Sequence, residues 1–120
     1  MRRVLYIEDD PNNRLLVRRI LSASDVQVEE AADAMSGIEM ARRDPPDLIL
    51  MDVSMPGMDG LTATATIRDT PEIANIPIIA LTANVMQGDR ERTLDAGCDG
   101  YIGKPINVDT FLEEIIRFIK

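Results

Sequence analysis

Three acids and one lysine in this chain stand at the ends of short apolar runs, where together they could hold a divalent cation and a phosphoryl group. Glu8 and Asp9 close the run Val4-Leu5-Tyr6-Ile7. Asp52 closes Leu48-Ile49-Leu50-Met51 and is released into the turn Val53-Ser54-Met55-Pro56-Gly57-Met58-Asp59-Gly60. Lys104-Pro105 follows Asp99-Gly100-Tyr101-Ile102-Gly103. A run of consecutive apolar residues bounded by turn formers suits a strand buried on both faces of a parallel sheet. An ionised carboxylate at the end of such a strand is costly unless a cation pairs with it. Asp52 therefore asks for a partner.

These residues lie far apart in sequence, so the elements that carry them must bring them together. Strand patterns cover residues 3–7, 26–31, 48–51, 77–81 and 100–102. Helical patterns lie between them. The first, over 11–22, opens on Pro11 and carries Leu15, Leu16, Ile20 and Leu21 at helical spacing. The second, over 34–43, turns Ile38 and Ala41 inward and stops at Asp44-Pro45-Pro46. Asp59 caps a third that carries Leu61, Ala65 and Arg68. A fourth, over 85–96, ends at Gly97 in a left-handed cap, and a fifth, over 108–119, presents Phe111, Leu112, Ile115, Ile116 and Ile119. Strands alternating with helices predict a doubly wound α/β fold, a five-stranded parallel sheet in a (βα)5 arrangement with helices on both faces. In such sheets ligands bind beyond the carboxyl ends of the strands, where the strand order reverses. If the order is 2-1-3-4-5, Glu8, Asp9 and Asp52 converge there, with Thr82 ending the fourth strand and Lys104 following the fifth.

The 120 residues predict one domain, residues 1–120, with no separate output or DNA-binding module. A hydrophobic content of 45% is enough for a core. The net charge of −8 argues against nucleic-acid binding, which needs clustered Lys and Arg. No apolar stretch is long enough to span a membrane. A single cysteine, Cys98, cannot form an internal disulfide, which fits a reducing cytoplasm, and it is expected to be a packing residue. The chain has no histidine. That removes the usual general base, serine and cysteine triads and His-rich zinc sites, and leaves chemistry to carboxylates, hydroxyls, lysine and metal.

Taken in order, Ile7-Glu8-Asp9-Asp10-Pro11-Asn12-Asn13-Arg14, the Asp52 strand with Met55-Pro56-Gly57-Met58-Asp59-Gly60, Ile79-Ala80-Leu81-Thr82-Ala83-Asn84 and Tyr101-Ile102-Gly103-Lys104-Pro105 resemble the receiver domains of two-component response regulators over essentially the whole chain. Within that family, Leu81-Thr82-Ala83-Asn84 and Met86-Gln87-Gly88-Asp89 resemble both receivers of hybrid histidine kinases and small stand-alone receivers of the DivK type, with Gly97-Cys98 and Lys104-Pro105-Ile106 leaning to the latter. The resemblance implies the flavodoxin-like strand order 2-1-3-4-5. It implies that Asp52 is the phosphoacceptor, taking a phosphoryl group from a phosphohistidine of a sensor histidine kinase or histidine phosphotransferase. It implies Mg2+, replaceable by Mn2+, held by the carboxylates of Asp9 and Asp52 and the Ser54 backbone carbonyl, with Glu8 acting through a bound water. Lys104, Thr82 and the Ala83 amide would contact phosphoryl oxygens, and Pro105 would follow a cis peptide bond. Thr82 and Tyr101 would form a switch, with output to a downstream protein through the fourth helix, fifth strand and fifth helix. A cytoplasmic monomer is implied, with a phosphorylation-dependent dimer as the alternative state.

Two departures stand out. Glu8 replaces an aspartate often found there, and Gly100 and Gly103 loosen the loop before Lys104. Read without Asp52, Thr82 could be only a helix cap and Lys104 only a surface charge; Asp10 reads as a helix cap and Tyr101 could be simple packing. The alternatives in function are a phosphate sink or relay without conformational output, and a magnesium-dependent aspartyl phosphatase. The latter needs an acid two positions after the nucleophile, where this chain has Ser54.

Overall fold

Apolar runs rich in branched aliphatic residues become five parallel strands in a computed structural model that describes residues 2–53, 57–82 and 89–119. They are β1 (Arg2–Ile7), β2 (Val26–Ala31), β3 (Leu48–Asp52), β4 (Ile78–Thr82) and β5 (Gly100–Gly103). The helices are α1 (Pro11–Leu21), α2 (Ala34–Arg43), α3 (Gly60–Arg68), α4 (Asp89–Asp95) and α5 (Phe111–Ile119). The sheet order is β2-β1-β3-β4-β5, the order implied by the resemblance. The chain steps outward from β1 to β2 and then crosses back to β3, so the order reverses between β1 and β3.

Register determines which side chains share a face. Tyr6 pairs with Leu50, and Leu50 with Ile79, so the even positions of β1 and β3 face one core. There Val4, Tyr6, Leu48 and Leu50 pack on Val17 and Leu21 of α1 and on Phe111 and Ile115 of α5. The opposite face buries Leu5, Ile7, Ile49 and Met51 against Ile38 and Ala41 of α2 and Ala63 and Ile67 of α3. Burying such side chains contributes about 1.5–3 kcal/mol each. A sheet covered on both sides explains why β3 and β4 read as unbroken apolar runs.

The helix starts are set by aspartates. Asp10, Asp33 and Asp59 accept N–H bonds from Asn12 (2.9 Å), Ser36 (2.8 Å) and Thr62 (2.8 Å), each satisfying a donor that the first turn leaves open. Pro11 sits at the first turn of α1. After α4, Gly97 adopts φ 112°, and Cys98 N–H reaches Thr93 O at 3.1 Å while Gly97 N–H reaches Leu94 O at 3.0 Å. This is a Schellman cap, which needs the left-handed glycine.

Two expected patterns differ in phase and a third in where its helix begins. In α1 the buried residues are Val17 and Leu21, while Leu15 is exposed. In α3 they are Gly60, Ala63, Thr64 and Ile67, with Ala65 facing out. The fifth helix starts at Phe111 rather than 108, the preceding residues forming a turn in which the Thr110 and Phe111 amides both reach Asn107 O. The first part of the expected fourth helix, residues 85–88, lies outside the described residues. Cys98 is buried beside Thr64 Oγ1 at 3.7 Å, and burial pushes its thiol up, as a packing residue requires. Among the described residues, no helix is long and apolar enough to cross a membrane.

Candidate functional site

The acids meet at the carboxyl ends of β1 and β3. The ladder continues past both strands: Glu8 N–H bonds Ala31 O at 3.0 Å and Val53 N–H bonds Leu81 O at 3.0 Å, which fixes the backbone on either side of the cleft. Asp52 is 2% exposed and Glu8 1%, whereas Asp9 faces solvent. One carboxylate oxygen from each of Glu8, Asp9 and Asp52 falls within a cluster whose members lie within 4.8 Å of one another. Three carboxylates and no nitrogen or sulfur donor suit a hard divalent cation such as magnesium or manganese, not zinc.

Lys104 answers the charge. Its Nζ lies 2.9 Å from Asp52 Oδ1 and 3.0 Å from Glu8 Oε1. Its backbone N–H bonds Thr82 O at 2.8 Å, and the Lys104–Pro105 peptide is cis, as expected. The Lys104 side chain is 20% exposed, so it bridges two buried carboxylates while part of its length stays at the surface. Burial works against the Lys104 charge, but the bonds to Asp52 and Glu8 outweigh it and hold the ammonium above the ordinary lysine range. Burial also raises Asp52, and the neighbouring Glu8 raises it further, to about 6, despite Lys104. Glu8 moves the other way: hydrogen bonds with Asp52, Lys104 and Tyr6 overcome burial and pull it well below the usual carboxylate range. Two acids and one shared cation thus leave a proton on the Asp52 side more readily than on the Glu8 side.

Thr82 is buried at the end of β4, one residue past Leu81, the cross-strand partner of Asp52. Tyr101 is half-buried on the α2–α3 side. Its cross-strand partner is Ala80, so it lies one pleat behind Thr82 on the same face. Ser54, Ala83, Asn84, Met55 and Met86 lie outside the described residues. A groove of about 360 Å³ lined by Asn13, Leu16, Lys104, Pro105 and Ile106 opens beside the site, between α1 and the segment after β5.

Four supporting residues escaped the reading of the sequence. Tyr6 O–H donates to Glu8 Oε1 at 2.8 Å, and Asn13 Nδ2 reaches the same oxygen at 3.4 Å. Arg14 Nη1 donates to Glu8 O at 2.7 Å while its Nε pairs with Glu30 at 3.4 Å. Gly60 presses so closely on the Asp52 carbonyl that an added Cβ would collide with that oxygen. Only Tyr6 left a signal, a hydroxyl two residues before an acid on the same strand face.

A sequence profile of the response regulator receiver domain matches residues 4–116. This chain belongs to the response regulator receiver family. As a receiver it is 39% identical over 116 residues to the polar-differentiation response regulator DivK of Brucella anthropi, spanning 97% of this chain and 94% of that one; DivK of Brucella abortus matches to the same extent. The receiver domain of the Pseudomonas aeruginosa sensor histidine kinase PA1611, whose structure has a magnesium ion coordinated in the active-site cleft, is 37% identical with a TM-score of 0.89 over 98% of this chain and 97% of that one. The Vibrio cholerae chemotaxis protein CheY4 superimposes with a TM-score of 0.92 at 29% identity, covering 98% of each chain. Relatives of both the stand-alone and the kinase-attached kind are therefore close to this receiver.

Proposed function

We propose that this receiver accepts a phosphoryl group on Asp52 from a phosphohistidine of a histidine kinase or phosphotransferase, in a magnesium-dependent reaction. The observation that supports this most strongly is Asp52 itself: a nearly buried carboxylate with an ammonium 2.9 Å away and two further acids beside it. A carboxylate oxygen of Asp52 attacks phosphorus, the bond from phosphorus to the donor nitrogen breaks, and an acyl phosphate forms. Lys104 already stands between Asp52 and Glu8, so its ammonium can pass to a phosphoryl oxygen with little movement. Thr82 offers its hydroxyl to another, and the Ala83 amide a third contact. Asp9, Asp52 and the Ser54 carbonyl would hold the cation, with Glu8 acting through a bound water; manganese should substitute. When bound, that cation would offset negative charge on the transferred group. The groove beside Lys104 gives a donor protein a partly apolar surface next to the nucleophile.

Output follows from the far side of the site. Drawing the Thr82 hydroxyl toward a phosphoryl oxygen shifts the adjoining segment, and Tyr101, one pleat behind on the same face, moves into the space released. The α4-β5-α5 face then presents a different surface to a downstream protein, with residues 1–120 acting as one receiver unit. Phosphorylation biases two packings rather than driving catalytic turnover. Incubation with acetyl phosphate and magnesium should add one phosphoryl group, labile to hydroxylamine, and Asp52→Asn should take up none. Uptake by Asp52→Asn at the wild-type rate would refute the assignment.

A further inference from the structure

Tyr6 has 0% exposure and stands one residue before the carboxyl end of β1, a strand whose other core-facing positions are aliphatic. It shares one core cluster with Val17 and Leu21 of α1 and Phe111 of α5, which ask for volume and not for an oxygen. The oxygen is nevertheless there, 2.8 Å from Glu8 Oε1. Glu8 has a long, rotatable side chain at the mouth of the sheet, and holding its carboxylate in one direction costs rotamer entropy. Lys104 cannot supply that hold alone, because the same ammonium is shared with Asp52. Asn13 reaches Oε1 only at 3.4 Å, and Asp10 N–H reaches Oε2 only at 3.3 Å. At 2.8 Å the Tyr6 bond is shorter than those from Lys104, Asn13 and Asp10, and it comes from a ring that packing cannot let turn.

We infer that Tyr6 is a positioning residue, whose hydroxyl fixes the Glu8 carboxylate so that the acid cluster is preorganised for a hard divalent cation. This rests on the reading of Glu8, Asp9 and Asp52 as a cation site. The hydroxyl engages Oε1, the oxygen that Lys104 also reaches, while Oε2 accepts the longer Asp10 N–H bond. When Lys104 turns to a phosphoryl oxygen, the Tyr6 bond remains and Glu8 stays aligned.

Calorimetric titration of the metal-free chain with magnesium chloride tests this, using wild type, Tyr6→Phe, Glu8→Asp and the double variant. Tyr6→Phe keeps the ring and should bind magnesium roughly tenfold more weakly, the worth of one hydrogen bond to a charged group. Its uptake of phosphate from acetyl phosphate should lag at low magnesium and recover at saturating magnesium, a loss in affinity rather than in maximal rate. In the Glu8→Asp background, where the shorter acid falls out of reach of the hydroxyl, Tyr6→Phe should weaken binding no further. Equal affinity in wild type and Tyr6→Phe overturns the role, and so does an equal loss in the Glu8→Asp background, which would mark a general packing effect. A wild-type chain that takes up no magnesium overturns the cation site itself, and the role with it. Should Tyr6→Phe fail to fold, the wild-type hydroxyl proton of Tyr6, protected by burial, can be followed by NMR; a resonance unmoved by saturating magnesium refutes the inference.

Discussion

At the scale of single residues, the site is held in tension between two acids and one cation. Asp52 is raised to about 6 from 3.8, so between those values the folded, metal-free chain keeps a proton that the unfolded chain releases. The Asp52 contribution to stability is therefore intact below the unfolded value and falls as pH rises toward the folded one. Glu8 is lowered from 4.5, so its contribution is present above that value and fades progressively as pH falls below it. Together they predict that, with metal chelated, the melting temperature falls between about pH 4.5 and about pH 6 and levels off above, and that magnesium reverses the fall. Asp52→Asn should flatten the profile, and a wild-type profile equally flat would contradict the prediction. Lys104→Met removes the shared cation and leaves two buried carboxylates facing each other. Because Lys104 reaches solvent, we expect a loss of about 2 kcal/mol in urea unfolding at neutral pH rather than the larger loss of a fully enclosed pair. Stability unchanged by that substitution would mean that water already screens the pair.

Among the elements, the entry to α3 matters most for the nucleophile. Gly60 lies against the Asp52 carbonyl, and its N–H bonds Val53 O at 3.0 Å, which sets the direction in which β3 delivers its last residue. Gly60→Ala should cost about 1–3 kcal/mol through forced displacement of that backbone. It should also slow phosphorylation from acetyl phosphate even at saturating magnesium, and a variant that unfolds like wild type would show the contact to be soft. That glycine was legible in the sequence only as part of a turn, because its role depends on a contact across space. Asp52, Glu8, Asp9 and Lys104 were legible because a charge ending a buried run is costly and therefore conspicuous. The sheet was readable for the same reason, its strands being short, apolar and punctuated by Gly, Pro and Asp. Helix phase was less so. Leu15 looked like a core position by spacing, yet Val17 took its place beside the expected Leu21, since a helix with a broad apolar stripe can rotate and still bury enough surface. Arg14 left no trace, because an arginine reaching a backbone carbonyl resembles a solvated charge until the fold is known.

For the whole molecule, the prediction concerns whether phosphate at one end of the sheet is felt on the α4-β5-α5 face. Comparison of amide resonances with and without beryllofluoride should show changes at Tyr101 and along α4, beyond the residues around Asp52. Changes confined to the acid cluster would indicate a phosphate sink or relay. The pattern along α4 should also be graded, and Arg68 is the reason. Its Nε donates to Gly97 O at 2.9 Å, its Nη1 to Ala74 O and Ile76 O at 2.8 and 2.7 Å, and its Nη2 pairs with Asp99 at 2.9 Å. Asp99 in turn accepts the Ile78 N–H at 2.9 Å. One guanidinium thus rivets the trailing end of α4 to α3 and to the root of β4. A rod pinned at one end can only pivot, so motion begun near Thr82 should be largest at Asp89 and die away toward Asp95. Arg68→Met would free the pin and turn the pivot into a slide, spreading the resonance changes evenly along the helix.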